Sequence, residues 1–191
     1  MEQRYPVGTS EVVLSLGDIT RESTDAIANA ANSSLGGGGG VDGAIHRAAG
    51  PNLLAACLTA RRSLPEGGLP AGQAVITPGF QLAAKHVIHC VGPIYYQSFA
   101  AAPVLLASCY ENALRLCREH GLRSIAFPAI STGIYGYPLE EAALVSLCAI
   151  RNDLLDHGAP ALVKIVLFDT RAYRAFVDAA EENLKGPFES A

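Results

Sequence analysis

"NAANSSLGGGGGVDGAIH", residues Asn29 to His46, sets five successive glycines, Gly36 to Gly40, between a short polar run and an aspartate that opens a helical pattern. A glycine costs about 0.5 to 1 kcal/mol of conformational entropy relative to alanine in ordered structure, so such a run is expected only where side chains would be in the way. A flexible linker is the competing reading, but a linker is not normally bracketed within a few residues by a strand and a helix. The bare amides of Gly36 to Gly40, with a helix starting at Asp42 or Gly43, would make a concave donor surface where an anion can sit, and a diphosphate is its natural occupant. Asp42 stays open to two readings, a helix N-cap or a catalytic carboxylate, because Asp is preferred at caps and the following GAIHRAA is helix-compatible.

Two familiar phosphate loops fit poorly. The Walker pattern needs a lysine and a hydroxyl after its last glycine, whereas Gly38 to Gly43 is followed by Ala44 and Ile45. The dinucleotide pattern is met formally by Gly38, Gly40 and Gly43, but the preceding strand ends several residues earlier, at the polar Asn32 to Leu35, and Glu66 lies in a loop.

Outward from this loop, short apolar or β-branched runs alternate with helical patterns, the mark of a largely parallel sheet covered on both faces. The expected strands are 11–16, 25–29, 74–77, 86–91, 124–129 and 163–168. The expected helices are 43–49, 52–63, 103–120, 139–157 and 170–184, the one from Leu139 being apolar on most sides and so among the best buried. Residues 63–72 read as loop and 186–191 as a frayed tail. A second glycine loop, AISTGIYGYP (Ala129 to Pro138), also follows a strand and precedes a helix, which places it at the carboxyl ends of strands, where open α/β sheets bind ligands. Gly133 and Gly136 permit close approach, Ser131 and Thr132 offer hydroxyls, and Tyr135 and Tyr137 supply faces and phenols. A third element, LGDIT (Leu16 to Thr20), ends a strand in Asp18, which could accept from an exocyclic amine of a base or simply cap a turn.

With 191 residues, half of them apolar and 17% charged, the chain can bury one sizeable core, and a single domain is expected. A net charge of -4 without a basic patch argues against phosphate neutralisation as a mode of nucleic-acid binding, yet leaves room for one nucleotide held by amides. The N-terminus has no signal-peptide pattern and no stretch approaches the roughly 18 apolar residues of a membrane span, so a cytoplasmic protein with no membrane partner is expected. Cys57, Cys90, Cys109, Cys117 and Cys148 are odd in number and scattered, which suits buried reduced thiols. His86 and His89 stand three apart in an expected strand and would face opposite sides, so no metal site is expected.

GDIT, NAANSSL, GGGGVDGAIHRAAGP, VIHCVGP (Val87 to Pro93) and AFPAISTGIYGYP, in this order and at these distances, resemble the macrodomain family across almost the whole chain. The likeness is to its MacroD-type branch, known for ADP-ribose binding and O-acetyl-ADP-ribose deacetylation. The resemblance implies a single three-layer α/β/α domain spanning 1–191, with a core of about 10–185 and a mixed, mostly parallel sheet of six or seven strands. It implies that Asp18 binds the adenine amino group, that the Ile19 amide meets the ring, and that Phe168 packs against the adenine. Asn32 would hold the distal ribose, with Tyr135 covering it. Gly39, Gly40 and Val41 would hold one side of the diphosphate, and Ser131, Thr132, Gly133, Ile134, Tyr135 and Gly136 the other. Asn29 joins the binding set by the same resemblance, and Asp42 matches the catalytic aspartate, paired with Asn32. One departure is Gly36, where close relatives often carry a bulkier apolar residue, which bears on loop rigidity.

What the resemblance implies for function is hydrolysis of esters on the distal ribose of ADP-ribose: an acetyl group, or the carboxylate of a mono-ADP-ribosylated Asp or Glu, with neither cofactor nor metal. Asp42 would act as base toward a water or only orient the ribose while a phosphate oxygen activates the water. The rival readings are a reader module that binds ADP-ribose without cleaving it and an ADP-ribose-1″-phosphate phosphatase. Mono-ADP-ribosylated proteins are the expected partners, ADP-ribosylated nucleic acid a further one, and a monomer the expected state.

Overall fold

Five parallel strands fill the middle of the sheet, and their order decides where a ligand can sit. The computed structural model describes residues 1–185, so the expected frayed tail at 186–191 lies outside the described residues. The strands are β1 (Glu2–Val7), β2 (Ser10–Leu16), β3 (Ala26–Ala31), β4 (Ala74–Pro78), β5 (His86–Val91), β6 (Ser124–Phe127) and β7 (Leu162–Leu167). The helices are α1 (Gly40–Ala49), α2 (Pro51–Arg61), α3 (Ala102–Glu119), α4 (Leu139–His157) and α5 (Thr170–Asn183). The sheet order is β1-β2-β7-β6-β3-β5-β4, with β1 and β4 antiparallel at the two edges and the five strands between them parallel.

Parallel strands are covered on both faces and therefore read as nearly continuous apolar runs, as VVLSL, VIHCV and VKIVL do here. One face packs against α3, α4 and α5 through Leu106, Tyr110, Phe127, Leu147, Ile150 and Phe176. The other packs against α1 and α2 through Ile27, Ile45, Leu53, Cys57 and Val87. The result is the expected three-layer α/β/α arrangement with a mixed, mostly parallel sheet.

The connections put a crevice between β3 and β6. The chain leaves β3 for α1 on one face of the sheet and leaves β6 for α4 on the other, so the two loops diverge from neighbouring strands. Such a switch point is where open α/β sheets bind ligands.

Three details differ from the expectations. The sheet has a strand, β1, within residues that the sequence left unassigned, and Tyr5 and Val7 from it are buried. Pro6 obscures it, yet a residue with no N–H to donate is tolerated on an edge strand. Helix α1 begins at Gly40 rather than Gly43, so Asp42 lies inside the first turn and is not its cap; the cap position is Gly39. Helix α4 buries one face only, leaving Leu144 and Leu155 exposed.

Candidate functional site

The carboxyl ends of all five parallel strands meet in one cleft formed by two adjoining cavities. The smaller, of about 240 Å³, is lined by residues that include Asn32, Gly38 to Asp42, Gly92, Ser131, Gly133, Ile134 and Tyr135. The larger, of about 540 Å³, is lined by residues that include Asp18, Ile19, Ala44, Arg47, Thr132, Phe168 and Asp169. Gly40, Val41, Ala129 and Gly133 border both. Together the cavities match the size of a small-molecule site, roughly 300 to 1,000 Å³.

The waist between them is built from backbone. In the first turn of α1 the N–H groups of Gly40 and Val41 precede any intrahelical acceptor, as the first four amides of every helix do. Facing them, Gly133, Ile134 and Tyr135 belong to a turn closed by the Gly136 amide on the Gly133 carbonyl, 3.0 Å, and the Tyr137 amide on the Ser131 carbonyl, 3.0 Å. Among the described residues the amides of Gly39, Gly40, Val41, Gly133, Ile134 and Tyr135 have no backbone acceptor outside regular elements. The glycine run makes this possible. Gly40 has φ +57, and a Cβ placed on Gly39 or Gly40 would meet no atom within 4 Å, so both stand bare toward the open cleft. Gly43 is needed for a different reason: its Cβ would lie 2.5 Å from the Gly38 carbonyl oxygen, where the loop folds back on the helix.

At the smaller end, Asn32 braces this loop. Its Nδ2 donates to the Gly37 carbonyl at 2.9 Å while its Oδ1 accepts from the Ser34 hydroxyl at 2.6 Å. Asp42 is only 5% exposed, and its Oδ1 accepts from Asn29 Nδ2 at 2.7 Å with His46 Nε2 3.4 Å away. The second oxygen, Oδ2, lies 3.1 Å from where a Cβ on Gly38 would be, so the missing side chain leaves space over it. Burial and then the charge of Asp42 raise the Tyr135 phenol above its ordinary range, keeping it a donor at neutral pH. Ser131 is held at φ +67, and its buried hydroxyl has no hydrogen-bond partner.

At the larger end, the Asp18 carboxylate accepts from the Thr20 hydroxyl at 2.7 Å and the Thr20 amide at 3.0 Å, both on Oδ1. These two bonds, the hydroxyl's first, hold its carboxyl below the usual range, so it is ionised at neutral pH with Oδ2 left as an acceptor. Phe168, 85% exposed just past the end of β7, and the buried Ile19 both line this cavity. Asp169 is engaged as the cap of α5, accepting from the Ala172 amide at 2.9 Å.

Most residues singled out in the sequence converge on the cleft: Asp18, Ile19, Asn32, Gly39, Gly40, Val41, Asp42, Ser131, Thr132, Gly133, Ile134, Tyr135 and Phe168 line it. Two do not. Asn29 is fully buried beneath the floor and contacts Asp42 rather than the cavity, because β3, expected to end at Asn29, runs on to Ala31. Gly136 supports the second loop from behind, with φ +67 and its open side against the Tyr96 ring. Gly36 lines neither cavity, so its departure touches the loop and not the wall. Sequence reasoning missed Ala44 and Arg47, which follow Gly40 at helical spacing on one face of α1, and Gly92, whose Cβ would lie 2.1 Å from Ser131 Oγ. No group of three or more His, Cys, Asp or Glu among the described residues is placed to hold a metal, and none of their helices is long and apolar enough to cross a membrane.

Comparison with known proteins agrees with this geometry. Residues 28–146 match the family model described as Macro domain. The O-acetyl-ADP-ribose deacetylase of Cronobacter turicensis is 54% identical over 153 residues, which cover 80% of this chain and 86% of that protein. The solved macrodomain of Oceanobacillus iheyensis with ADP superposes with a TM-score of 0.92 at 46% identity, covering 95% of this chain and 96% of the other. The Trypanosoma brucei macrodomain in complex with ADP-ribose superposes with a TM-score of 0.79 at 40% identity, covering 88% of this chain and 68% of that one.

Proposed function

This chain belongs to the macrodomain family, and from that premise we propose that it binds ADP-ribose and hydrolyses esters on the distal ribose, acting on O-acetyl-ADP-ribose and on mono-ADP-ribosylated Asp or Glu side chains. The observation that carries the proposal is the buried Asp42 carboxylate, fixed by Asn29 at the end of a cleft whose waist is two facing rows of free amides. A diphosphate at the waist meets donors from both loops and the positive end of α1, which favours an anion without any lysine. Adenine then falls in the larger cavity, its amino group toward Asp18 Oδ2 and its ring toward Phe168. The distal ribose falls in the smaller cavity, among Asn32, Asp42 and Tyr135.

Asn29 and His46 approach Oδ1 of Asp42, which leaves Oδ2 for a water or a ribose hydroxyl. From there Asp42 takes the proton of a water attacking the ester carbonyl, and the departing ribose hydroxyl is reprotonated from solvent. General base catalysis of this kind supplies about 10² to 10⁴ in rate, and the amide grip on the diphosphate supplies positioning. Release of acetate from O-acetyl-ADP-ribose, and of ADP-ribose from a mono-ADP-ribosylated protein, tests the reading with Asp42→Asn and Asp42→Ala. Loss of turnover with retained ADP-ribose binding is expected. Binding without turnover in the unaltered protein would make it a reader of ADP-ribose instead.

A further inference from the structure

Behind the floor of the cleft runs a line of buried polar side chains that touch no cavity. Asn29 on β3 and His89 on β5 are direct partners across two parallel strands, and both are almost completely buried. His89 pairs with Val75 on β4, so Thr77 on the same strand reaches it diagonally. Asn29 Nδ2 lies 2.7 Å from Asp42 Oδ1 and 3.1 Å from His89 Nδ1, and His89 Nε2 lies 2.9 Å from Thr77 Oγ1. Thr77 Oγ1 in turn donates to the Pro78 carbonyl at 3.3 Å.

Only one assignment of hydrogens gives every donor in this line an acceptor; it leaves Asn29 Oδ1 buried without a partner. Burial, then the neighbouring His46, pushes the His89 imidazole down to about 3, so the ring is neutral and carries one N–H. An amide nitrogen only donates, so the two N–H bonds of Asn29 go to Asp42 Oδ1 and to His89 Nδ1, which must be the bare nitrogen. The hydrogen then sits on Nε2 and is given to Thr77, whose own hydroxyl hydrogen is directed at Pro78. The Cys57 thiol, 3.5 Å from Nε2, is itself pushed up to about 11 and stays protonated, so it brings no charge to the ring. The other tautomer would set N–H against N–H at Asn29. Relief would come by flipping the amide, which would turn its carbonyl oxygen toward the Asp42 carboxylate.

We propose that Thr77 and His89 are positioning residues for Asp42: the threonine fixes the histidine tautomer, the tautomer fixes the Asn29 amide, and the amide fixes the carboxylate that faces the distal ribose. The edge strand β4, which contributes nothing to the cleft wall, is thereby coupled to the chemistry. For catalysis the inference rests on the hydrolase reading above; for the hydrogen assignment it stands without it.

The test pairs Thr77→Val, close to isosteric but without the hydroxyl, with Thr77→Ser, which restores it. In Thr77→Val, kcat on O-acetyl-ADP-ribose falls on the order of tenfold while KM and the ADP-ribose Kd stay within about twofold, and Thr77→Ser recovers kcat. Two-bond ¹H–¹⁵N spectra of the histidine rings give the second readout. Unaltered His89 shows the Nε2–H form throughout about pH 5 to 8, and Thr77→Val moves population to the Nδ1–H form and shifts the Asn29 amide signals. An Nδ1–H tautomer in the unaltered protein overturns the proposal, as does equal kcat in the valine and serine variants, or a loss of kcat matched by a loss of affinity. If the unaltered protein binds ADP-ribose but hydrolyses neither ester, the hydrolase reading fails and the spectra decide the relay alone. Should Thr77→Val not fold, Thr77→Ala takes its place in both measurements.

Discussion

Gly38 has an ordinary negative φ, so nothing in its backbone demands glycine, yet its Cβ would come within 3.1 Å of Asp42 Oδ2. A methyl there must push the carboxylate aside by a few tenths of an ångström or block what approaches it. Gly38→Ala is therefore expected to lower turnover on the order of tenfold without changing the thermal midpoint, since misplacement on this scale acts on reacting geometry and not on packing. Unchanged kcat in this variant would show that Oδ2 does not face the reaction. At the other end of the cleft, Asp18 is expected to choose the base. Asp18→Asn keeps the size but presents an amide that can turn its N–H toward the adenine amino group. Loss of one charge-assisted hydrogen bond, about 1.5 to 3 kcal/mol, predicts a tenfold or greater rise in Kd for ADP-ribose, read by calorimetry. The inosine analogue, which has no amino group, would lose much less.

At the scale of elements, the parts legible in the sequence were those whose local chemistry matches their position. The central strands show as apolar runs because both their faces are covered, and β5 begins and ends where its pattern does, at His86 and Val91. The two glycine loops show because bare backbone is rare and both follow strands. What stayed hidden depends on neighbours distant in sequence. Asn29 closes the strand expected at 25–29, next to the cleft, but pairing with β5 extends β3 to Ala31 and takes its side chain under the floor. Strand β1 is an edge whose exposed Glu2, Gln3 and Arg4 carry no alternation, and only the pairing with β2 declares it. It is nonetheless structural: Tyr5 is 2% exposed and its hydroxyl donates to Glu181 on α5 at 3.0 Å. Tyr5→Ala should destabilise by about 3 to 5 kcal/mol, as other buried aromatic truncations do, at about 2 to 4 °C of Tm per kcal/mol for a chain of this length. A Tm within one or two degrees of the unaltered protein would mean that β1 is not part of the cooperative core.

For the molecule as a whole, the groups that ionise with difficulty in the interior set a pH window for stability. His89 is neutral in the fold down to about 3, whereas the unfolded chain titrates it near 6.5. Between those values the unfolded state binds the extra proton, so stability is full above about pH 6.5 and is lost as the pH falls, at a limiting slope of roughly 1.4 kcal/mol per pH unit. Asp18 and Asp25, both held below the ordinary range by hydrogen bonds, add to the loss at lower pH, since they too are protonated more readily once unfolded. The opposite limb comes from thiols. Burial pushes Cys57 up to about 11 and Cys109 and Cys117 up to about 12, so the unfolded chain gives up their protons first and stability falls as the pH rises past about 9. Thermal unfolding should therefore show a plateau between about pH 6.5 and 9 with a fall on each side. His89→Gln cannot take up a proton, so its acid limb should be shallower between pH 6.5 and 5 even if its plateau is lower. An acid limb unchanged by that substitution would mean that His89 is protonated inside the fold. The Asn29 amide would then face an N–H, and the line of donors that ends on Asp42 would be broken at its second member.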